Sequence, residues 1–226
     1  MLKVRKYCLI AILLSGLAYL IYLGILIALA DLSHYPVKNL IDNQQNPITE
    51  QDVASAQLKI QTSIQLRPNN AEYHEYLARL YYLRAIHNSA DPRAYQEYLR
   101  LAYNTHQRAS QLRPEWPYSW ANMALMKSKM RQFDVVFLYS INQAIKYGRW
   151  EIASNQALVQ AIFSNWSGLT ADSQNKAVRA LERIYQQQKP TARSLLKHYQ
   201  LAAVVCPRIG IEDFQKDKVC KLKVES

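Results

Sequence analysis

The chain has 226 residues, half of them hydrophobic, with 28 Lys and Arg against 17 Asp and Glu and a formal net charge of +11. That length holds one ordinary domain with an appendage, or a short stack of repeats, and leaves no room for two full-sized enzyme domains. Only 5 Gly occur, two of them in an apolar N-terminal run, which speaks against Gly-rich phosphate loops and tight hairpins, so the composition reads all-α.

Lys3, Arg5 and Lys6 make residues 1–6 a basic tip, and residues 7–30 are uncharged. A helix over those residues is roughly 36 Å long, more than the ~30 Å hydrocarbon core of a bilayer. The positive residues ahead of it keep the N-terminus cytoplasmic and send the remainder outward, which for a bacterial chain means a single-pass inner-membrane protein with a periplasmic domain. A cleaved signal peptide competes, because Ala28-Leu29-Ala30 offers the small-x-small pattern; against it, a signal h-region runs only about 7–15 residues.

Residues 31–48, with Pro36, Pro47 and the polar run from Asp42 to Asn46, resist helix and read as a linker. Thr49 with Asp52 opens a helix whose Val53, Ala56, Ile60 and Ile64 form one stripe, ending at Leu66-Arg67-Pro68. A second helix covers Ala71 to Ile86. Asp91-Pro92 caps a third, which ends at Leu112-Arg113-Pro114. Pro117 starts a fourth, and Phe133 to Tyr147 is a fifth, stopped by Gly148 as a left-handed cap. Ile152–Asn165, Ala171–Gln188 and Ala192–Val205 complete eight helices over residues 49–205, with Thr170 and Thr191 as caps and Pro190 and Pro207 as breakers. Residues 206–226 are a tail in which Cys206 and Cys220, 14 apart around Pro207 and Gly210, would close a disulfide loop in an oxidising compartment.

Ser63-Ile64-Gln65-Leu66-Arg67-Pro68 and Ala109-Ser110-Gln111-Leu112-Arg113-Pro114 end alike, and an aromatic helix follows each. Together with Leu77-Ala78, Tyr81 and Ala102, then Trp120, Met123-Ala124 and Phe133, they resemble degenerate tetratricopeptide repeats. The prolines stand 46 apart where that repeat has 34, which calls for about 12 inserted residues around Ile86 to Pro92.

Ala144-Ile145-Lys146-Tyr147-Gly148-Arg149-Trp150-Glu151, followed by Asn155-Gln156 and Trp166, resembles a segment of the VpsP family of exopolysaccharide-biosynthesis proteins, which accompany bacterial exosortase-type and vibrio-type polysaccharide loci. The likeness extends to the plan of basic tip, membrane helix and tetratricopeptide-like outer domain. It implies a process, exopolysaccharide assembly or export, and names no reaction.

The sequence offers no reactive constellation. The five His form no His-Glu-x-x-His, Cys-x-x-Cys and Gly-x-Ser-x-Gly are missing, and no carboxylate pair stands apart from solvated helix faces. The expectation is a non-enzyme without metal or cofactor. After the membrane helix 25 basic residues face 17 acidic ones, a net +8 that would attract an anionic glycan, a lipid-linked sugar or the membrane surface, while an exported domain meets no nucleic acid.

The expected function is a membrane-anchored scaffold that binds other exopolysaccharide-assembly proteins through a helical-repeat groove formed by the outward positions Glu72, Glu75, Arg79, Tyr82, Tyr118, Leu125 and Lys129. The rivals are a carbohydrate-binding module, favoured if Tyr82, Trp116, Trp150 and Trp166 are exposed together, and a general envelope-biogenesis accessory protein.

Overall fold

The computed structural model describes residues 2–43 and 47–221; Met1 of the expected basic tip, residues 44–46 of the expected linker and residues 222–226 of the expected tail lie outside the described residues. The described residues are all-α, without a strand. The helices are α1 (Leu2–Asp42), α2 (Glu50–Leu66), α3 (Ala71–His87), α4 (Pro92–Leu112), α5 (Pro117–Lys129), α6 (Val135–Gly148), α7 (Ile152–Phe163), α8 (Ala171–Gln187) and α9 (Lys189–Tyr199), followed by the short α10 (Ala202–Val205), α11 (Glu212–Gln215) and α12 (Lys218–Lys221).

Local chemistry sets the boundaries. Thr49 Oγ1 accepts the Asp52 N–H at 3.2 Å while Asp52 Oδ2 accepts the Thr49 N–H at 3.0 Å, a reciprocal capping box that opens α2. Asp91 Oδ1 accepts the N–H groups of Arg93 and Ala94 ahead of α4, whose first residue is Pro92. Short connections fold successive helices back on one another, giving the pairs α1–α2, α3–α4, α5–α6 and α7–α8. The first members also touch across pairs, α1 on α3 and α5 on α7, so the odd-numbered helices form one layer and the even-numbered helices the other.

Four expectations about elements are corrected. The linker is helical to Asp42, so the apolar segment and the first helix of the domain are one rod of 41 residues, about 60 Å long. Pro36 lies inside it on the exposed side. Ala30, His34 and Val37 are buried against α2 and α3, and that packing outweighs the proline. No residues are inserted around Ile86 to Pro92: four residues join α3 to α4, and the extra length lies in the helices themselves, of 17 and 21 residues. Gly148 is not a left-handed cap. It is the last residue of α6, with negative φ, and a Cβ there would sit 2.3 Å from Pro117 Cβ, so glycine permits the approach of α6 to the start of α5. Thr191 and Pro190 belong to the first turn of α9, which starts after Gln188.

The two ends of α1 differ. Its aliphatic and aromatic side chains from Leu9 to Leu29 are exposed almost throughout, with a mean hydropathy of 2.5 over the best window. This helix is long and apolar enough to cross a membrane. From Ala30 onward it belongs to the domain: Ser63 Oγ donates to the Ala30 carbonyl at 2.8 Å, and Val37 packs with Val53, Ile60, Tyr73 and Leu80. At the other end Cys206 and Cys220 are bridged, Cα atoms 5.6 Å apart. Residues 206–221 dock on the domain, with Phe214 fully buried and stacked on Tyr185 at 3.9 Å between ring centroids.

Candidate functional groove

The odd-numbered layer encloses a groove of about 430 Å³, walled by Lys38 and Asp42 of α1, Glu72, Glu75, Tyr76 and Arg79 of α3, Tyr118 and Asn122 of α5 with Trp116 just before it, and Ala153 of α7. Glu72, Glu75, Tyr76 and Arg79 fall at spacings of three and four, one face of a helix.

At the floor lies Glu75, 6% exposed. Its Oε1 accepts Asn122 Nδ2 at 2.8 Å, and its Oε2 accepts Ser119 Oγ at 2.8 Å and His106 Nδ1 at 2.9 Å. Burial pushes this carboxyl up, but His106, by charge and hydrogen bond, together with Ser119 and Asn122 carries it below its ordinary value. Ser119 and His106 both donate to the same carboxylate, and the serine proton is directed at Glu75, not at the imidazole. This wiring pins α3, α4 and α5 together and lacks the serine–histidine bond that activates a nucleophile.

The walls are likewise internally compensated. Arg79 Nη1 donates to Asp42 Oδ1 at 2.9 Å, the Tyr76 hydroxyl donates to Asp42 Oδ2, and Lys38 Nζ donates to Glu72 Oε1 at 2.9 Å. Arg113 lies 3.5 Å from the centroid of the Trp116 ring, which packs 5.7 Å from Tyr118. The Tyr118 hydroxyl donates to Glu151 Oε2 at 2.5 Å, and burial, then Glu151, pushes that phenol up to about 12. Trp116 Nε1 is buried and has no hydrogen-bond partner. The groove therefore offers aromatic surface and paired charges.

No protein-family model matches this chain, and no curated protein matches it.

Of the seven groove residues expected from the sequence, Glu72, Glu75, Arg79 and Tyr118 are brought together here, although Glu75 is buried and not outward. The other three are not in the groove. Leu125 is buried in the core, because α5 packs on α4, α6 and α7 at once and keeps no open flank there. Tyr82 is half-buried against the same core, and burial, then Tyr95 and Tyr199, pushes its phenol up to about 12. Lys129 ends α5 half-buried, where desolvation lowers its ammonium. The aromatic cluster does not assemble either: Trp166 is buried, Trp150 is 59% exposed, and of the four only Trp116 lines the groove.

Lys38, Asp42, Tyr76, Asn122 and Ala153 also line the groove and are not among the residues expected from the sequence, whereas Trp116 is expected only under the carbohydrate-binding reading. The signal for the first two was the recurrence of Ala30, Val37 and Ile41 at helical spacing through the supposed linker.

Proposed function

We propose that this protein is a single-pass membrane adaptor whose groove holds a segment of a partner protein close to the membrane surface, in exopolysaccharide assembly or export. The observation that carries the reading is the continuity of α1: one helix supplies both the apolar rod and, through Lys38 and Asp42, a wall of the groove. From Ala30 to Asp42 is about 18 Å of helix, so a guest in the groove sits within that distance of the end of the apolar segment. The near-neutral, aromatic-lined groove suits an uncharged or mixed peptide segment, held by contact with Trp116 and Tyr118 and by hydrogen bonds, better than long-range capture of a polyanion. A cytoplasmic N-terminus follows from the basic tip, and the Cys206–Cys220 bridge favours an oxidising compartment such as the periplasm for the domain. The polysaccharide process is proposed from the VpsP resemblance and the plan it shares. No catalytic role is assigned.

The test is a plug in the groove. Ala153 is exposed and lines it, so Ala153→Trp fills the space from outside the core. Secreted polymer should fall severalfold while protein abundance and melting temperature hold; unchanged polymer output with normal abundance overturns the adaptor reading.

A further inference from the structure

A second cavity of about 430 Å³ lies between α6 and α8, in the other helix layer. Lys146 and Arg149 approach it from the end of α6, and Lys176, Arg179 and Arg183 from α8, where spacings of three and four set them in one row. Lys176 pairs with Asp172 at 2.6 Å; among the described residues the other four cations make no ion pair. Glu182 stands at the adjoining rim and accepts the Gly210 N–H.

Arg183 is the informative member. It is 8% exposed, its Nη2 donates to Asn155 Oδ1 at 3.3 Å, and its Nε is buried with no partner. Asn155 is itself buried, and its amide nitrogen donates to the carbonyls of Arg149 and Glu151 at 3.0 Å each, which turns its oxygen toward Arg183. A buried guanidinium facing a neutral amide, with two further arginines beside it, is unfavourable in the isolated domain, because a buried charge needs a countercharge. Burial, and then repulsion from Arg149, pull this group below its ordinary value despite the opposing Glu182.

We propose that the cleft between α6 and α8 binds a compact polyvalent anion of the diphosphate class, with Arg183 at its floor and Lys146, Arg149 and Arg179 at its mouth. Four uncompensated cations within one small cleft exceed what a single carboxylate neutralises, whereas adjacent phosphoryl groups present several charges and paired oxygens to guanidinium forks. This site lies apart from the groove and stands or falls without it.

The experiment is calorimetric titration of inorganic pyrophosphate into the full-length chain in zwitterionic nanodiscs at low salt. Saturable one-to-one binding is expected, weakened roughly tenfold by Arg179→Gln, an exposed residue whose loss leaves the melting temperature unchanged. Arg183→Gln should weaken binding further. Repeating the titration in nanodiscs containing anionic phospholipid separates the sources: lower pyrophosphate affinity there means that headgroups compete for the cleft, unchanged affinity means a free diphosphate ligand, and both uphold the phosphoryl chemistry. No saturable binding by folded protein, binding indifferent to Arg179→Gln, or tighter binding of an oligouronate than of pyrophosphate overturns the proposal.

Discussion

Asp42 Oδ1 accepts Nη1 of Arg79 at 2.9 Å, joining the last residue of the apolar rod's helix to the middle of α3. Both side chains are about one-third exposed, so the pair by itself contributes less than ~1 kcal/mol. Its effect is orientational: with Lys38–Glu72 and the Tyr76 hydroxyl on Asp42 it fixes the roll of α1 against the domain. Asp42→Ala and Arg79→Ala should each cost about 0.5 kcal/mol or slightly more, and the double variant less than their sum. Chemical denaturation of the four proteins in a cycle checks the coupling.

Val37 is fully buried against α2 and α3 although it lies in a segment that reads as linker. Val37→Ala should lower stability by about 2 kcal/mol, whereas a substitution at the exposed neighbour Tyr35 should change it by less than ~0.5 kcal/mol. Thermal unfolding separates a packed helix from a tether, for which both changes would be silent.

Glu75 and Asp217 set the acid limb. Both have carboxyls below their ordinary values, Asp217 at about 2 through its Arg193 hydrogen bonds, so each stabilises the fold above the unfolded carboxylate range and loses that contribution as pH falls through its native value. Stability should therefore decline progressively below about pH 4.5, toward pH 2. Glu75→Gln should cost about 3 kcal/mol at pH 7, by leaving the His106 site without its carboxylate, and should make the decline shallower. Asp217→Asn should remove the part of the decline that extends to about pH 2 through this carboxyl. Denaturation midpoints across pH 2 to 7 give the comparison.

The Cys206–Cys220 loop secures the docked C-terminal segment that carries Phe214. Reduction, or Cys206→Ser with Cys220→Ser, should cost about 3 kcal/mol on the chain-entropy account. Limited proteolysis should then cut first between residues 206 and 221.

Much of the fold was legible in short patterns. Thr49 with Asp52, Asp91 with Pro92 and the stops at Pro68 and Pro114 announce helix ends through side-chain and ring chemistry that acts within four residues. What failed was tertiary. Pro36 signals a break, yet Ala30 and Val37 on the opposite side of the helix are held by α2 and α3, and nothing local reveals that hold. Leu125 looked outward because a two-faced helix has one free side, but α5 is enclosed by three neighbours. The groove was half legible: Glu72, Glu75 and Arg79 repeat at helical spacing on α3 and the repeat alignment set Tyr118 beside them, while Asp42 and Asn122 enter only through the packing of α1 and α5 on either side of α3.

The central claim is that the groove receives a partner at the membrane surface, and photocrosslinking in intact cells tests it most directly. A photoreactive phenylalanine analogue at Tyr118, in the groove, is compared with the same group at Glu97, on the exposed side of α4. The account predicts one discrete adduct from position 118, recovered in the membrane fraction, lost when Ala153→Trp fills the groove, and not formed from position 97. Equal adducts from both positions, or an adduct at 118 indifferent to Ala153→Trp, would contradict it.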